Sequence, residues 1–214
     1  MVVQNGEYKI AKYGQWDGYL GSLGLGILTF LRDKFDRTKF IKGLSKVRKV
    51  TDAELQQFWV DAGAEPGANW VNMTVSQKFA EAHPELTRDM AGYTLLEAIQ
   101  NGKVTYSNPD LNFAADSLFC EWAYVLDLDQ GTFEVYEGFN QSPLGIKDRF
   151  AGIAMAPLKP GQQREYYQVR LLKSYSLRRL PNDTTFLRLK TLANKRDKEW
   201  KSKADIKAAA FVSA

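Results

Sequence analysis

The strongest structural signal in the sequence is a β-hairpin in its second half. Residues 119–127 and 132–137 are rich in aromatic and β-branched side chains and are separated by an Asp-Gln-Gly turn. This composition is typical of paired antiparallel strands. A second hairpin is predicted at the start of the chain, where Asn5 and Gly6 both tolerate the positive φ of a tight turn. We therefore expect an antiparallel sheet, with a further strand at residues 166–172.

The region between the two hairpins is predicted to be helical. Thr51 and Glu54 have the spacing of a capping box and precede an apolar run, which marks the start of a helix. The other predicted helices, of which the last is basic, are at residues 22–34, 40–47, 75–82, 88–100 and 185–209. Strands, then helices, then strands and a basic helical C-terminus predict an α+β fold with a mainly antiparallel sheet.

The length and composition are those of one soluble domain. A chain of 214 residues with 44% hydrophobic residues can bury a substantial core, so we expect one α+β domain with a core at 1–180 and a basic helical tail at 181–214. No apolar run approaches the roughly 20 residues that cross a bilayer, and no export signal is recognisable. The single cysteine, Cys120, fits a reducing compartment. We expect a cytoplasmic protein with no membrane partner.

The sequence has too few histidine and cysteine residues for several classes of catalytic and metal sites. The chain has one histidine, His83, and one cysteine, so neither a Ser-His-Asp triad nor a zinc site built from His and Cys is expected. The glycines near residues 21–26 match neither a Walker phosphate loop nor a G-x-G-x-x-G motif. We expect no bound metal and no cofactor, and both enzyme and non-enzyme interpretations stay open.

The loop after the first hairpin has the composition of a ligand-binding segment. Residues 13–19 combine three aromatic side chains, one amide and one carboxylate with two glycines. Glycines let a ligand approach the backbone, and the other side chains can stack on it and hydrogen-bond to it. We predict ligand-binding roles for Gln15, Trp16, Asp17 and Tyr19. The alternative interpretation is a glycine-rich turn whose aromatic residues fold back into the core.

A second candidate site lies at residues 116–122, at the start of the predicted hairpin strand. Alternation along this strand places Cys120 and Trp122 on one face and Glu121 on the other. If Trp122 is buried, Cys120 is buried beside it and unreactive. Glu121 then points to solvent or to a cleft, and Asp116 precedes the strand, where aspartate is also an ordinary turn residue. We predict ligand-binding roles for Asp116 and Glu121.

Three segments resemble a family of uncharacterised proteins found in bacteria and their phages. They are residues 13–19, 113–124 and 133–139, which read YGQWDGY, FAADSLFCEWAY and FEVYEGF. The resemblance covers residues 1–140, leaves out the basic tail and implies no particular activity. In that family the aromatic loop continues into a proline and a Gln-Gly pair, whereas this chain has Leu20 at the proline position.

Three functional hypotheses compete, and we favour the first. It is a binding protein that sequesters or inhibits a small polar or nucleotide-like ligand or a host protein, as the aromatic content and the phage resemblance suggest. The second is an amide hydrolase with an N-terminal nucleophile, suggested by the order of hairpin, helices and sheet. The third is a nucleic-acid-binding protein, because the net charge of +4 is concentrated at residues 32–49 and 188–207.

Overall fold

A computed structural model describes residues 1–15, 17–68 and 70–196. The contacts divide the chain into two compact units, which we describe separately. Unit 1 comprises Met1–Asp17 and Gly26–Asp110, and unit 2 comprises Gly18–Leu25 and the chain from Leu111 onward. Helices and mainly antiparallel strands are both present, so the predicted α+β class is confirmed. The single domain over residues 1–214 stays a prediction.

Unit 1 begins with the predicted hairpin. Strands β1 (Val2–Asn5) and β2 (Glu7–Ala11) are antiparallel, with one register shift within β1. Gly6 between the strands has a φ of 71°. Because glycine adopts this left-handed conformation without a steric penalty, the turn expected from Asn5 and Gly6 is confirmed.

The predicted helices of unit 1 are all present. They are α1 (Leu25–Asp33), preceded by a π-helical turn at Leu20–Gly24, then α2 (Arg37–Leu44), α3 (Asp52–Asp61), α4 (Met73–Ala82) and α5 (Gly92–Gln100). Two short strands, β3 (Arg48–Lys49) and β4 (Tyr106–Ser107), pair in parallel. Helix α5 begins at Gly92 rather than at the predicted residue 88, with Ala91 as the residue before its first turn.

The capping box of α3 is formed as predicted. The backbone N–H of Glu54 donates to the Thr51 hydroxyl at 3.2 Å, and the Thr51 N–H donates to the Glu54 carboxylate at 3.0 Å. The Arg48 guanidinium also donates to this carboxylate. The hydrogen bond from Arg48 and those from Thr51 lower the pKa of Glu54 to about 2. The start of α3 is therefore fixed by local hydrogen bonds and one ion pair.

Helix α2 packs closely on α5. A Cβ atom at Gly43 in α2 would collide with the backbone carbonyl of Ile99 in α5, so this approach requires glycine. Phe40 and Leu44 on the same helix are fully buried. The contact gives unit 1 a tightly packed helix pair.

A small aromatic cluster joins α3 to α4. The ring of Trp59 stacks on buried Phe79 with centroids 3.7 Å apart, and the ring of His83 stacks on Phe58 at 4.0 Å. His83 is the residue after the last turn of α4, so its predicted position at a helix end is confirmed. Its ring is used in packing. With their planes inclined by 7° and 17°, both pairs are nearly parallel, and they contribute chiefly through the apolar area that they bury.

Unit 2 is built on a three-stranded antiparallel sheet. Strands β5 (Trp122–Asp127) and β6 (Thr132–Glu137) form the predicted hairpin, and β7 (Arg170–Ser176) pairs with the other side of β6. Three bounds differ from the sequence prediction. Strand β5 begins at Trp122 rather than at residue 119, and β7 begins and ends four positions later than the strand predicted at residues 166–172.

Phe133 of β6 lies in the core of unit 2. Its ring stacks between those of Tyr124 and Phe186, with centroid distances of 6.3 and 6.1 Å. Phe186 belongs to helix α6 (Asp183–Leu187), and residues 189–196 are also helical. The start of the predicted C-terminal helical region is thus confirmed, and its part beyond residue 196 lies outside the described residues.

In the described part of the chain, no helix has both the length and the apolar character needed to span a membrane.

Candidate functional site

The segment before β5 is an exposed turn. The turn covers residues 117–119, and it is closed by the N–H of Cys120 donating to the carbonyl of Asp116 at 2.8 Å. The Asp116 carboxylate accepts from the N–H of Leu118 at 3.2 Å, so this side chain stabilises the turn. The prediction that the strand starts at residue 119 is therefore wrong, because turn hydrogen bonds take the place of ladder bonds here.

The turn presents two large apolar side chains to solvent. Phe119 is 69% exposed, and its neighbour Leu118 is also exposed. A third exposed apolar residue, Phe139, lies next to them, since its N–H donates to the carbonyl of Ser117 at 2.6 Å. The ring of half-buried Tyr166 meets that of Phe139 edge to face at 6.5 Å. We call Leu118, Phe119, Phe139 and Tyr166 the candidate surface.

A buried polar network holds the candidate surface in place. The hydroxyl of fully buried Ser117 accepts from the N–H of Asn140 at 3.0 Å. The side-chain amide of Asn140 donates to the carbonyls of Ser142 and Gln168, at 2.8 and 2.9 Å. The N–H of Ser117 in turn donates to the carbonyl of Tyr167. The segments at 116–121, 138–142 and 166–168 are thus tied together by hydrogen bonds that are buried or partly buried.

The backbone at residues 138 and 139 is specialised for this arrangement. A Cβ atom at Gly138 would collide with the carbonyl of Cys120 and would lie 2.7 Å from that of Ser117. The next residue, Phe139, has a φ of 49°, in the left-handed region that a bulky side chain rarely enters. Such a conformation costs about 1–3 kcal/mol and persists only where its surroundings enforce it. The exposed orientation of Phe139 is therefore maintained at a cost in folding free energy.

Carboxylates border the candidate surface. Asp116 and Glu121 flank the turn, and both are exposed, which confirms the predicted orientation of Glu121. Exposed Glu165 lies beside Tyr166, and partial burial together with this carboxylate raises the pKa of the Tyr166 phenol. The surface is therefore apolar at its centre and acidic at its edge.

Cys120 is not a reactive group. Its side chain is buried, as predicted, and burial raises the pKa of the thiol to about 11. Because the thiolate is the nucleophilic form, this thiol is essentially inert near neutral pH. Cys120 serves as a small apolar residue behind the turn.

The residues predicted at the first loop are exposed where the structure describes them. Gln15 and Asp17, in unit 1, are exposed, and Asp17 has a φ of 50°. Tyr19, in unit 2, is also exposed and receives backbone hydrogen bonds at its carbonyl from the π-helical turn. Trp16 lies outside the described residues. Ligand binding by Gln15, Trp16, Asp17 and Tyr19 stays a prediction.

One glycine of this region has a packing role. A Cβ atom at Gly24 would lie 2.7 Å from the phenol oxygen of Tyr124, whose hydroxyl donates to the carbonyl of Gly18 at 2.9 Å. Burial raises the pKa of the Tyr124 phenol well above its usual value. Within unit 2, this glycine thus makes room for a buried tyrosine of β5. The loop's own Tyr13 and Tyr19 are exposed and are not folded back into the core.

A buried ionic cluster lies elsewhere in unit 2. The Arg149 guanidinium donates to the Asp127 carboxylate at 2.6 Å and to both Glu134 oxygens, at 2.8 and 2.9 Å. The Tyr136 hydroxyl donates to Glu134 at 2.7 Å, and burial followed by this bond raises the pKa of the phenol. Both carboxylates are engaged by one arginine, so the cluster fixes the loop that carries Arg149 against β5 and β6.

Glu137 forms a second buried ion pair. Its Oε1 accepts from Arg170 at 2.6 and 3.0 Å, and from Arg196 at 3.5 Å. Its Oε2 is buried and has no hydrogen-bond partner within the described residues. A lone oxygen of this kind makes the pair less favourable than its geometry suggests. Within residues 1–15, 17–68 and 70–196, no group of three or more His, Cys, Asp or Glu side chains is placed to hold a metal ion.

The sequence pattern does not reveal the apolar anchors of the candidate surface. It predicts that Phe119 lies in a strand, and it predicts no role for Leu118 or Phe139. The signal that could have revealed the turn is the pair Asp116 and Ser117, both favourable turn residues, followed by three apolar residues that break strand alternation. The partner segments at 138–142 and 166–168 carry no local signal.

No protein-family model, curated protein or solved structure matches this chain. The resemblance to the bacterial and phage family stays a prediction, and the functional argument rests on the geometry of the described residues.

Proposed function

We propose that the protein is a binding protein that sequesters or inhibits a partner protein, and that it does so through the candidate surface. The observation that carries the proposal is the pair Leu118 and Phe119, exposed side by side on a turn whose base is buried and hydrogen-bonded. Contiguous exposed apolar side chains are a feature of interaction sites. Aromatic anchors at the centre of an interface supply much of its binding energy.

The hydrogen-bonded support of the candidate surface favours binding, because the turn is already ordered before a partner binds. Immobilising a flexible side chain or loop on association costs about 0.5–1.5 kcal/mol per side chain. Here Ser117 and Asn140 fix the turn in the free protein, and enclosed backbone holds Phe139 in its strained conformation. A surface fixed in advance retains more of its contact energy as affinity.

The charges select the chemistry of the partner. Asp116, Glu121 and Glu165 border the apolar centre, so a complementary partner carries an apolar groove with a basic rim. A phosphate backbone would be repelled by the same carboxylates, which favours a protein over a nucleic acid at this surface. The proposal places the complex in the cytoplasm, because Cys120 is a free thiol of the kind that persists in a reducing compartment.

The experiment compares partner recovery by three forms of the full-length protein expressed in its native host. They are the wild type, Phe119→Ser and Ile146→Ser, the last being a control for a residue that is 96% exposed but outside the candidate surface. We expect one protein to be recovered with the wild type and the Ile146→Ser variant and to be lost with Phe119→Ser. With the purified partner, Phe119→Ala should weaken the affinity about thirtyfold or more, as for a central hot spot.

The acidic rim supplies a separate measurement. With the same purified partner, Glu121→Gln should mainly slow association and reduce its dependence on salt, because rim charges act on the rate of encounter. A partner bound equally well by wild type and Phe119→Ser, or the absence of any partner, would contradict the proposal. Circular dichroism of each variant checks that the fold is retained.

A further inference from the structure

Unit 1 contains a cavity that is separate from the candidate surface and is formed by different residues. It has a volume of about 310 Å³ and lies between α3 and the segment that follows it. This is the lower end of the size range of small-molecule sites. The side chains that matter for its chemistry are Gln56, Trp59, Val60, Glu65, Trp70 and Val71. We call this the tryptophan cavity.

One wall of the tryptophan cavity is rigid. The indole of Trp59 is held flat against buried Phe79, with ring centroids 3.7 Å apart and planes inclined by 7°. The chain at the end of α3 is fixed as well, because the N–H of Ala64 donates to the carbonyl of Trp59 at 2.9 Å. A turn follows, closed by the N–H of Ala68 donating to the carbonyl of Glu65 at 3.0 Å. Glu65 is therefore carried at the rim by ordered backbone.

The second indole of the cavity is almost entirely in solvent. Trp70 is 79% exposed, although it is one of the largest apolar side chains in the chain. An exposed indole presents apolar area that a ligand in the cavity can cover. Trp70 therefore offers a free ring face at the cavity that Trp59 helps to form.

The charge of the lining selects the ligand. Among the described residues that line the cavity, Glu65 is the charged one, and neither lysine, arginine nor histidine is present. An anion, including a nucleotide phosphate, would meet a carboxylate and no compensating cation. A cation is attracted both by this carboxylate and by the electron-rich faces of tryptophan. The apolar lining from Val60 and Val71 favours a cation whose charged centre is surrounded by apolar, weakly hydrated alkyl groups.

We propose that the tryptophan cavity binds a small organic cation of the quaternary or alkylated ammonium class. Trp59 and Trp70 contact its alkyl groups, and Glu65 balances its charge. The site differs from the proposed protein-binding surface in residues and ligand class. Failure of either proposal leaves the other standing.

The test uses the full-length protein labelled with ¹⁵N, and choline and its neutral isostere 3,3-dimethylbutanol as probes. We expect choline to cause saturable chemical-shift changes at the Trp59 and Trp70 indoles, and the isostere to bind at least about twofold more weakly because it lacks the charge. Trp70→Ala should weaken choline binding about tenfold or more. Glu65→Gln should weaken it about two- to fivefold and leave binding of the isostere unchanged.

Two control variants on α4 are matched to these changes. Met73 is exposed and Glu81 carries an exposed carboxylate, and neither lines the cavity, so Met73→Ala and Glu81→Gln should bind choline like the wild type. Three results would overturn the proposal. They are choline shifts that do not saturate, an isostere that binds as tightly as choline, and an equal loss of affinity in Glu81→Gln and Glu65→Gln.

Discussion

The candidate surface of unit 2 and the tryptophan cavity of unit 1 hold their aromatic side chains in position by different interactions. Each holds a large aromatic side chain where solvent can reach it, since Phe119 is exposed and Trp59 is half-buried. At the candidate surface, Phe119 is exposed on a turn whose base is a buried network of hydroxyl and amide groups around Asn140. At the cavity, Trp59 is held by ring stacking on Phe79.

The difference shows that the type of supporting interaction matches the shape of the site. Hydrogen bonds are directional and can fix an irregular backbone, so they suit a protruding turn whose backbone must leave a strand ladder. Stacking fixes the plane of a ring and leaves part of it open, so it suits the wall of a cavity. The first arrangement fits a protein partner, and the second fits a small ligand.

Breaking the polar network should have the largest effect. Asn140→Ala removes both amide donors and the acceptor that receives the Ser142 N–H, leaving the buried Gln168 carbonyl and the partly buried Ser142 carbonyl without these bonds. We expect a loss of about 2–3 kcal/mol in the free energy of unfolding, since unsatisfied buried polar groups are expensive. Urea denaturation measures the loss.

The matched control is Gln163→Ala, which truncates an exposed amide and should change stability little. A loss below about 0.5 kcal/mol in Asn140→Ala would show that the network does not support the turn. Binding of the partner should also weaken in Asn140→Ala at temperatures where the variant is fully folded.

Weakening the aromatic support should have a smaller effect. Phe79→Leu keeps a buried apolar side chain but removes the stack on Trp59 and the tilted ring contact with His83. We expect a loss of about 1–1.5 kcal/mol in the free energy of unfolding, from lost stacking and imperfect packing. The change should also loosen the Trp59 indole, which tryptophan fluorescence anisotropy of a protein that retains only this tryptophan can detect.

Met73→Leu, on an exposed position of the same helix, is the control for Phe79→Leu and should be close to neutral. If Phe79→Leu is equally neutral, stacking is not what holds the wall of the tryptophan cavity. A choline affinity that falls together with indole order would strengthen the link between support and site.

The smallest expected effect is on how folding stability changes with pH, through Lys12 in unit 1. Burial lowers the pKa of the Lys12 ammonium from 10.5 to about 8, against the opposing influence of Glu85 and Asp89. The unfolded chain then binds more protons than the folded one between these two values, so this group makes stability rise with pH there. Below pH 8 the charge is present in both states, and the full penalty of burying it applies.

Lys12→Met removes this titration. The difference in Tm, variant minus wild type, should therefore fall as the pH is raised from about 7 to about 10, as paired thermal melts can measure. The exposed lysine at 103 offers a control, and Lys103→Met should show a difference that does not vary with pH in this way. A constant difference for Lys12→Met would contradict the burial of its charge.

Local chemistry accounts for the parts of the fold that were predicted correctly. Asn5 and Gly6 specify a turn through their tolerance of positive φ, and Thr51 and Glu54 specify a helix start through a box of four residues. The central hairpin follows from aromatic and β-branched side chains on both sides of a short turn. In each case the interacting groups are close in sequence, so their pattern can be read directly.

Tertiary structure decided the candidate site. Ser117 and Asn140 are 23 positions apart in the sequence, and Asn140 and Gln168 are 28 positions apart. No local sequence pattern can therefore predict the hydrogen bonds between them. The sequence alone determined the α+β class. Whether Phe119 belonged to a strand or to an exposed turn depended on these distant hydrogen bonds, because an apolar run satisfies the local preferences of both.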